Sequence, residues 1–263
     1  MSLVLDDRQR AMLKEMGIEL FWPTRAGSEL APEQPPARVE AAVLAEPAMR
    51  ARVPAPAAPV SMPVRGAAAP RERIGGVAGM DWDALREAVA TCRACKLCEG
   101  RHNTVFGVGP QQADWLVIGE APGENEDLQG EPFVGQAGKL LDNMLRALGL
   151  NRRDSVFIAN VLKCRPPGNR NPEPEEIAQC EPFLRRQVEL VQPKIILAMG
   201  RFAVQSLLQT TEPIGRLRGR VHRYNDVPLV VTYHPAYLLR NLPDKAKAWA
   251  DLVLAQSVLQ GRA

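Results

Sequence analysis

Four short, β-branched apolar runs separated by stretches of helical periodicity are the strongest constraint on how this chain can fold. The runs are Trp115 to Glu120, Val156 to Cys164, Lys194 to Gly200 and Pro228 to Pro235. A strand buried on both faces reads as a continuous apolar run rather than an alternating one. Between the runs lie helical patterns beginning at Ala137, Pro174 and Arg201, and a last one spans about Asp244 to Gln260. Ahead of the first run, Asp81 stands as an N-cap before apolar positions at helical spacing in DWDALREAVATC. Strands alternating with helices predict an α/β domain, a mainly parallel sheet covered on both faces. Ligands of such sheets sit beyond the carboxyl ends of the strands. The loops after Glu120, Asn160, Gly200 and Tyr233 are therefore expected to converge on one site.

The first eighty residues have a different character. Residues 1–22 hold one short amphipathic element with Met12, Leu13, Met16, Ile18 and Leu20 as its apolar positions. Residues 23–79 are rich in Pro, Ala, Arg and Gly, a composition that buries too little apolar surface to offset its ordering entropy and is expected to be a flexible, disordered linker. The compact domain is expected over 80–263. An apolar share of 46% and a charged share of 24% exclude fibrous and wholly disordered classes. A net charge of +3 is too mild to argue for nucleic acid, so any such argument must come from local residues. There is no run of about 20 apolar residues and no apolar signal core at the N-terminus. A cytoplasmic protein with no membrane partner is expected.

Five cysteines, Cys92, Cys95, Cys98, Cys164 and Cys180, are an odd number without an export signal, which favours metal ligation over a disulfide framework. A C-x2-C pair at Cys92 and Cys95 joined by two distant thiolates can close a tetrahedral S4 site for zinc or for an iron–sulfur cluster. The wide separation of Cys164 and Cys180 tilts the choice toward iron–sulfur, and Cys98 is a rival ligand.

Three loops carry the unusual residues: GEAPGENEDLQGEPFVGQAGKLLDNML from Gly119, NVLKCRPPGNRNP from Asn160, and HPAYLLRN from His234. The first is not a nucleotide P-loop, because Gly138-Lys139 is followed by Leu140. Together with the cysteines, these blocks resemble the family-four uracil-DNA glycosylases, the iron–sulfur branch of the uracil-DNA glycosylase superfamily. The likeness runs from about Thr91 to the C-terminus. It implies a three-layer sandwich with a central four-stranded parallel sheet flanked by helices. It also implies a [4Fe–4S] cluster on Cys92, Cys95, Cys164 and Cys180, with Cys98 left out. The activity implied is hydrolysis of the N-glycosidic bond of uracil, opposite G or A or in single strands, to leave an abasic site. A monomer is expected.

The residue types suit that chemistry. A base inside a duplex must be flipped out to be read by its edge and its face. Phe133 can stack on a pyrimidine ring, and the Asn160 amide can donate to one uracil carbonyl while accepting from N3–H. His234 can donate to the carbonyl oxygen on which charge builds as the bond breaks. In family-one relatives an Asp of the first motif positions the attacking water, and Ala121, a candidate substrate contact, stands at that place here. Glu120 and Glu126 are left as the nearby carboxylates able to orient water or stabilise the sugar cation. Glu126 is alternatively a wall against the thymine methyl. Arg165, Arg170, Arg216, Arg218, Arg220 and Arg240 are candidate phosphate contacts. Leu238 and Leu239 are candidates for a wedge filling the gap left by a flipped base. Two other classes stay open on residues alone: a redox protein, and a zinc-stabilised DNA-binding module without catalysis. The N-terminal extension is a candidate tether for a protein partner.

Overall fold

The computed structural model describes residues 76–262 together with Glu15. The expected element at 1–22 and linker at 23–79 therefore lie outside the described residues, apart from Glu15 and residues 76–79. Helix α1 (Trp82–Ala90) opens on Asp81, whose carboxylate accepts from Ala84 N at 2.9 Å, the N-cap bond its sequence called for. Strand β1 (Trp115–Gly119) leads through α2 (Glu124–Gln129) and α3 (Gln136–Ala147) to β2 (Val156–Asn160). Helix α4 (Pro174–Val191), β3 (Ile195–Met199), α5 (Arg201–Leu208) and a short α6 (Ile214–Leu217) follow. The chain then forms β4 (Val221–Tyr224), β5 (Val227–Thr232), the single turn α7 (Pro235–Leu238) and α8 (Lys245–Leu259).

The sheet has five strands in the order β2-β1-β3-β5-β4. Strands β1, β2, β3 and β5 run parallel, while β4 pairs antiparallel with β5. The expected four-stranded parallel sheet is thus extended by a hairpin at one edge. Its two-residue turn, Asn225-Asp226, holds both residues at positive φ, 46° and 65°. Turns of this hand match the twist of a two-stranded ribbon, and Asn and Asp tolerate them. The alternating exposure of β4 is that of an edge strand with one wet face, a weaker sequence signal than a buried run.

Successive residues of each central strand enter opposite layers, the period of two that a pleated strand imposes. Leu116, Ile118, Ile196 and Ala198 pack with Leu85, Phe183, Leu184, Val188 and Val204 of α1, α4 and α5. Trp115, Val117, Ile195 and Leu197 pack with Leu141, Met144, Leu145, Leu252 and Ala255 of α3 and α8. With both faces covered, β1 to β3 have every residue buried, which is why they are apolar except for Asn160 at the end of β2. Strand β1 has β2 on one side and β3 on the other, so the chain's crossovers leave it in opposite directions. A crevice at the carboxyl ends of the strands follows from that reversal.

Candidate active site

The crevice is a cleft of about 840 Å³ lined by Glu120, Ala121, Glu126, Phe133, Asn160 and His234, with Arg170, Arg201 and Arg240 at its walls. All six residues singled out for catalysis and base reading are brought together. Asn160 ends β2 and is buried, and its Oδ1 has no hydrogen-bond partner. An orphaned buried acceptor costs roughly 1–3 kcal/mol, so one held at a strand end points to a ligand. Directly across the ladder, a Cβ on Gly119 would collide with that Oδ1 and stand 2.6 Å from the Phe133 ring. Only glycine leaves room for the two side chains at this position.

Phe133 sits in the left-handed region, at φ 55°, which is strained for a bulky residue. The loop is held from both sides. Glu126 accepts from Val134 N at 2.9 Å and Gly135 N at 3.0 Å with one oxygen, and from Gly123 N at 3.1 Å with the other. Arg152 donates to Phe133 O at 2.8 Å and Pro132 O at 3.1 Å, and its Nε reaches Asp142 at 2.8 Å. Helix α3 closes on the same loop at Gly138, where a Cβ would run into the Phe133 carbonyl. Glu126 is thus committed to backbone amides, and Arg152, a residue sequence reasoning missed, completes the clamp.

His234 is the N-cap of α7, and its Nδ1 accepts from Ala236 N at 3.1 Å. That bond leaves Nε2 to carry the proton of the neutral ring. Burial pulls its pKa down to about 4, with Glu126 opposing the shift and Arg240 adding to it. The ring stacks on Phe133, centroids 5.4 Å apart. Glu120 turns to the start of α5, where it accepts from Phe202 N at 2.9 Å; burial raises its pKa while that backbone amide opposes the rise. A Cβ on Gly200 would stand 2.6 Å from the same carboxylate.

The other expected cations separate into groups. Arg170 lines the cleft but is paired with Glu176 and Glu173, while Arg165 donates to Asn169 at 2.8 Å. Arg218, expected at DNA, instead bonds both oxygens of the buried Asp251, at 3.0 and 2.9 Å, and the Lys247 carbonyl. A guanidinium engaged this way ties α6 to α8 and has little left for a phosphate. Arg216 and Arg220 are exposed outside the cleft lining. Leu238 is fully buried in the core and so cannot serve as a wedge, whereas its neighbour Leu239 is 42% exposed.

The five cysteines line a second, small cavity with Arg101 and Lys163. Among the described residues no group of three or more His, Cys, Asp or Glu is placed to hold a metal ion as it stands. The donor set is all sulfur, and Arg101 Nη1 lies 3.0 Å from Cys164 Sγ. Burial pushes Cys95 up to about 11 and Cys180 up to about 12, and an all-sulfur donor set of this kind suits a soft metal or cluster that binds thiolate.

A mainly parallel sheet with a crevice at its switch point, holding an aromatic ring, a carboxamide and a neutral histidine, defines an α/β fold with a polar cleft at its strand ends. The family model for the uracil-DNA glycosylase superfamily matches residues 106–253, and the chain belongs to that superfamily. It is 46% identical over 165 residues to the type-4 uracil-DNA glycosylase of Archaeoglobus fulgidus, covering 60% of this chain and 82% of that one. The type-4 enzymes of Saccharolobus solfataricus (46%, 61% and 78% covered) and Thermotoga maritima (43%, 60% and 82%) are similarly related. The type-4 branch is its place in the superfamily.

Proposed function

We propose that this chain is a DNA-repair glycosylase that hydrolyses the bond between uracil and deoxyribose. The observation that carries the reading is the buried, unpartnered Oδ1 of Asn160 facing the same cleft as Phe133 and a His234 held in one tautomer. A uracil flipped into the cleft offers an N3–H to that oxygen and O4 to the amide nitrogen. Cytosine would set its own N3 acceptor against Oδ1, leaving two acceptors unpaired, and this is the costly mismatch by which hydrogen-bonding sites discriminate. Phe133 supplies the stacking face. His234 Nε2–H donates toward O2, where negative charge develops as the glycosidic bond breaks. Neutrality is what lets Nδ1 accept from Ala236 N, and that bond turns Nε2–H toward the base. Glu120, whose carboxylate is both buried and anchored, is the better placed of the two acids to orient water, because Glu126 already accepts three backbone bonds.

Arg240 and Arg165 would meet the DNA backbone, Arg170 being held by Glu176 much as Arg218 is by Asp251, and Leu239 would enter the duplex beside the flipped base. Cys92, Cys95, Cys164 and Cys180 would hold the iron–sulfur cluster, whose chemistry here is structural: joining the segment after α1 to the loop after β2 and to α4. The test is alkaline cleavage of uracil-containing oligonucleotides, single- and double-stranded, after incubation with the purified protein. Strand scission at uracil alone is the expected result; none over a wide range of enzyme would overturn the proposal. A brown colour with absorbance near ~400 nm would support the cluster, and a colourless protein that yields zinc would overturn it.

A further inference from the structure

Lys163 does not line the cleft and is no sulfur donor, although it borders the sulfur-lined cavity, and it is among the largest fully buried side chains of the protein. Its Nζ donates to the Asn160 carbonyl at 2.8 Å and to Gln187 Oε1 at 2.6 Å, with the Phe106 carbonyl at 3.4 Å. Gln187 in turn donates to Phe106 O at 2.9 Å. Burying an amine is costly unless its donors are matched, and a methionine would fill similar space at no such cost. What the amine does is therefore the question.

The sheet order answers it. Strand β2 is an edge strand, so its outward backbone groups need partners from elsewhere. The segment before β1 provides some: Val108 and Ile158 exchange both backbone bonds, at 3.0 and 2.8 Å, and Val105 N reaches Lys163 O at 2.8 Å. In an unbroken antiparallel ladder the next bonded pair would be Phe106 with Asn160. Lys163 Nζ sits between those two carbonyls instead. The backbone of Asn160 is thus fixed on its inner side by β1 and on its outer side by a lysine. The direction of the Asn160 side chain follows from that backbone, and no bond to its own Oδ1 aims it.

We propose that Lys163 is a positioning residue for uracil excision, holding the Asn160 carbonyl so that the carboxamide meets the base edge without a reorganisation step. Gln187, on α4 with Cys180, is the anchor of that strut. The inference rests on Asn160 being the base reader. A misplacement of a reading group by about 1 Å can lower a rate by about a hundredfold.

The experiment is single-turnover excision with full-length wild type, Lys163→Met, Asn160→Ala and the double variant, alongside thermal unfolding and visible absorbance. For Lys163→Met the expected result is a folded protein with unchanged absorbance, and a maximal rate lower by about 10- to 100-fold with a smaller change in half-saturation. In the Asn160→Ala background the same substitution should change the rate by less than about threefold, since the group it positions is gone. A wild-type rate for Lys163→Met, or a loss that multiplies undiminished onto Asn160→Ala, would overturn the proposal. Full activity in Asn160→Ala alone would instead sink the reading of Asn160 on which it stands. Should Lys163→Met not fold, Gln187→Leu removes the anchor and keeps the amine; a smaller loss, again masked by Asn160→Ala, is expected. Insolubility of both variants would assign the network to folding and overturn the positioning role.

Discussion

His234 shows how one residue's environment sets its chemistry. An imidazole free in water would be half protonated near its usual value of 6.5, but burial brings this one to about 4. The neutral donor at Nε2 therefore persists through the acidic side of neutrality. The rate constant for excision at low substrate, followed against pH, should show no inflection from this residue near 6.5, and its loss should begin only toward pH 4. An acid limb centred near 6.5 that vanishes in His234→Asn would contradict the neutral assignment. The consequence for stability has a definite sign: the unfolded chain takes up the proton first, so this contribution is whole above pH 6.5 and is lost as pH falls toward 4. Gly119 makes a second residue-level case. Because a Cβ there would strike both Asn160 and Phe133, Gly119→Ala should lower single-turnover excision by about a hundredfold or more, and the overpacking should also lower stability by about 1–3 kcal/mol in denaturant unfolding.

At the scale of elements, the loop between α2 and α3 is a strained segment held by a carboxylate on one side and a guanidinium on the other. Removing either side should release Phe133 from its left-handed conformation. Arg152→Ala loses three bonds, two of them to the carbonyls of Pro132 and Phe133. A loss of about 2–4 kcal/mol in denaturant unfolding is expected, as for charged hydrogen bonds that cannot be replaced. Glu126→Ala should act the same way and lower excision with it, because the acid organises the loop through Gly123, Val134 and Gly135. Activity retained in a Glu126→Ala protein of normal stability would show that the loop needs no such staple. Helix α7 separates its two leucines by role. Leu238→Ala should cost about 2–4 kcal/mol of stability, as buried leucines do, whereas Leu239→Ala should leave stability within about 0.5 kcal/mol. Its effect belongs to DNA: excision from duplexes should fall more than excision from single strands, and equal losses on both would exclude a wedge.

For the molecule as a whole, the sulfur-lined cavity and the cleft are joined through β2. Asn160 lines the cleft, Lys163 ties the same strand end to α4, and Cys164 follows at once. Removing the ligand set should therefore be felt at the base site. Cys180→Ala is expected to lose the absorbance of the proposed cluster and to lower both the melting temperature and uracil excision; a colourless variant with wild-type stability and rate would show the two cavities to be independent.

Much of this architecture was legible in order along the chain. Continuous apolar runs announce strands with two buried faces, and strand–helix alternation then places the carboxyl ends, and Asn160, Phe133 and His234, at one edge. The strand order rests on periodicity, which a linear sequence carries, while the choice of Asn160, Phe133 and His234 rests on the motifs shared with the family-four glycosylases. The fifth strand was missed because an edge strand with one wet face has no such run. The allocation of charges was also out of reach. Whether Arg218 meets a phosphate or Asp251, whether Glu126 is a base or a backbone staple, and why Lys163 is buried depend on groups far along the chain. The pairs 218 with 251 and 163 with 187 are brought together only by packing of helices on the sheet. A charged side chain's role is set by the partner nearest to it in space, because a buried charge must be matched, and only the folded chain decides which partner that is.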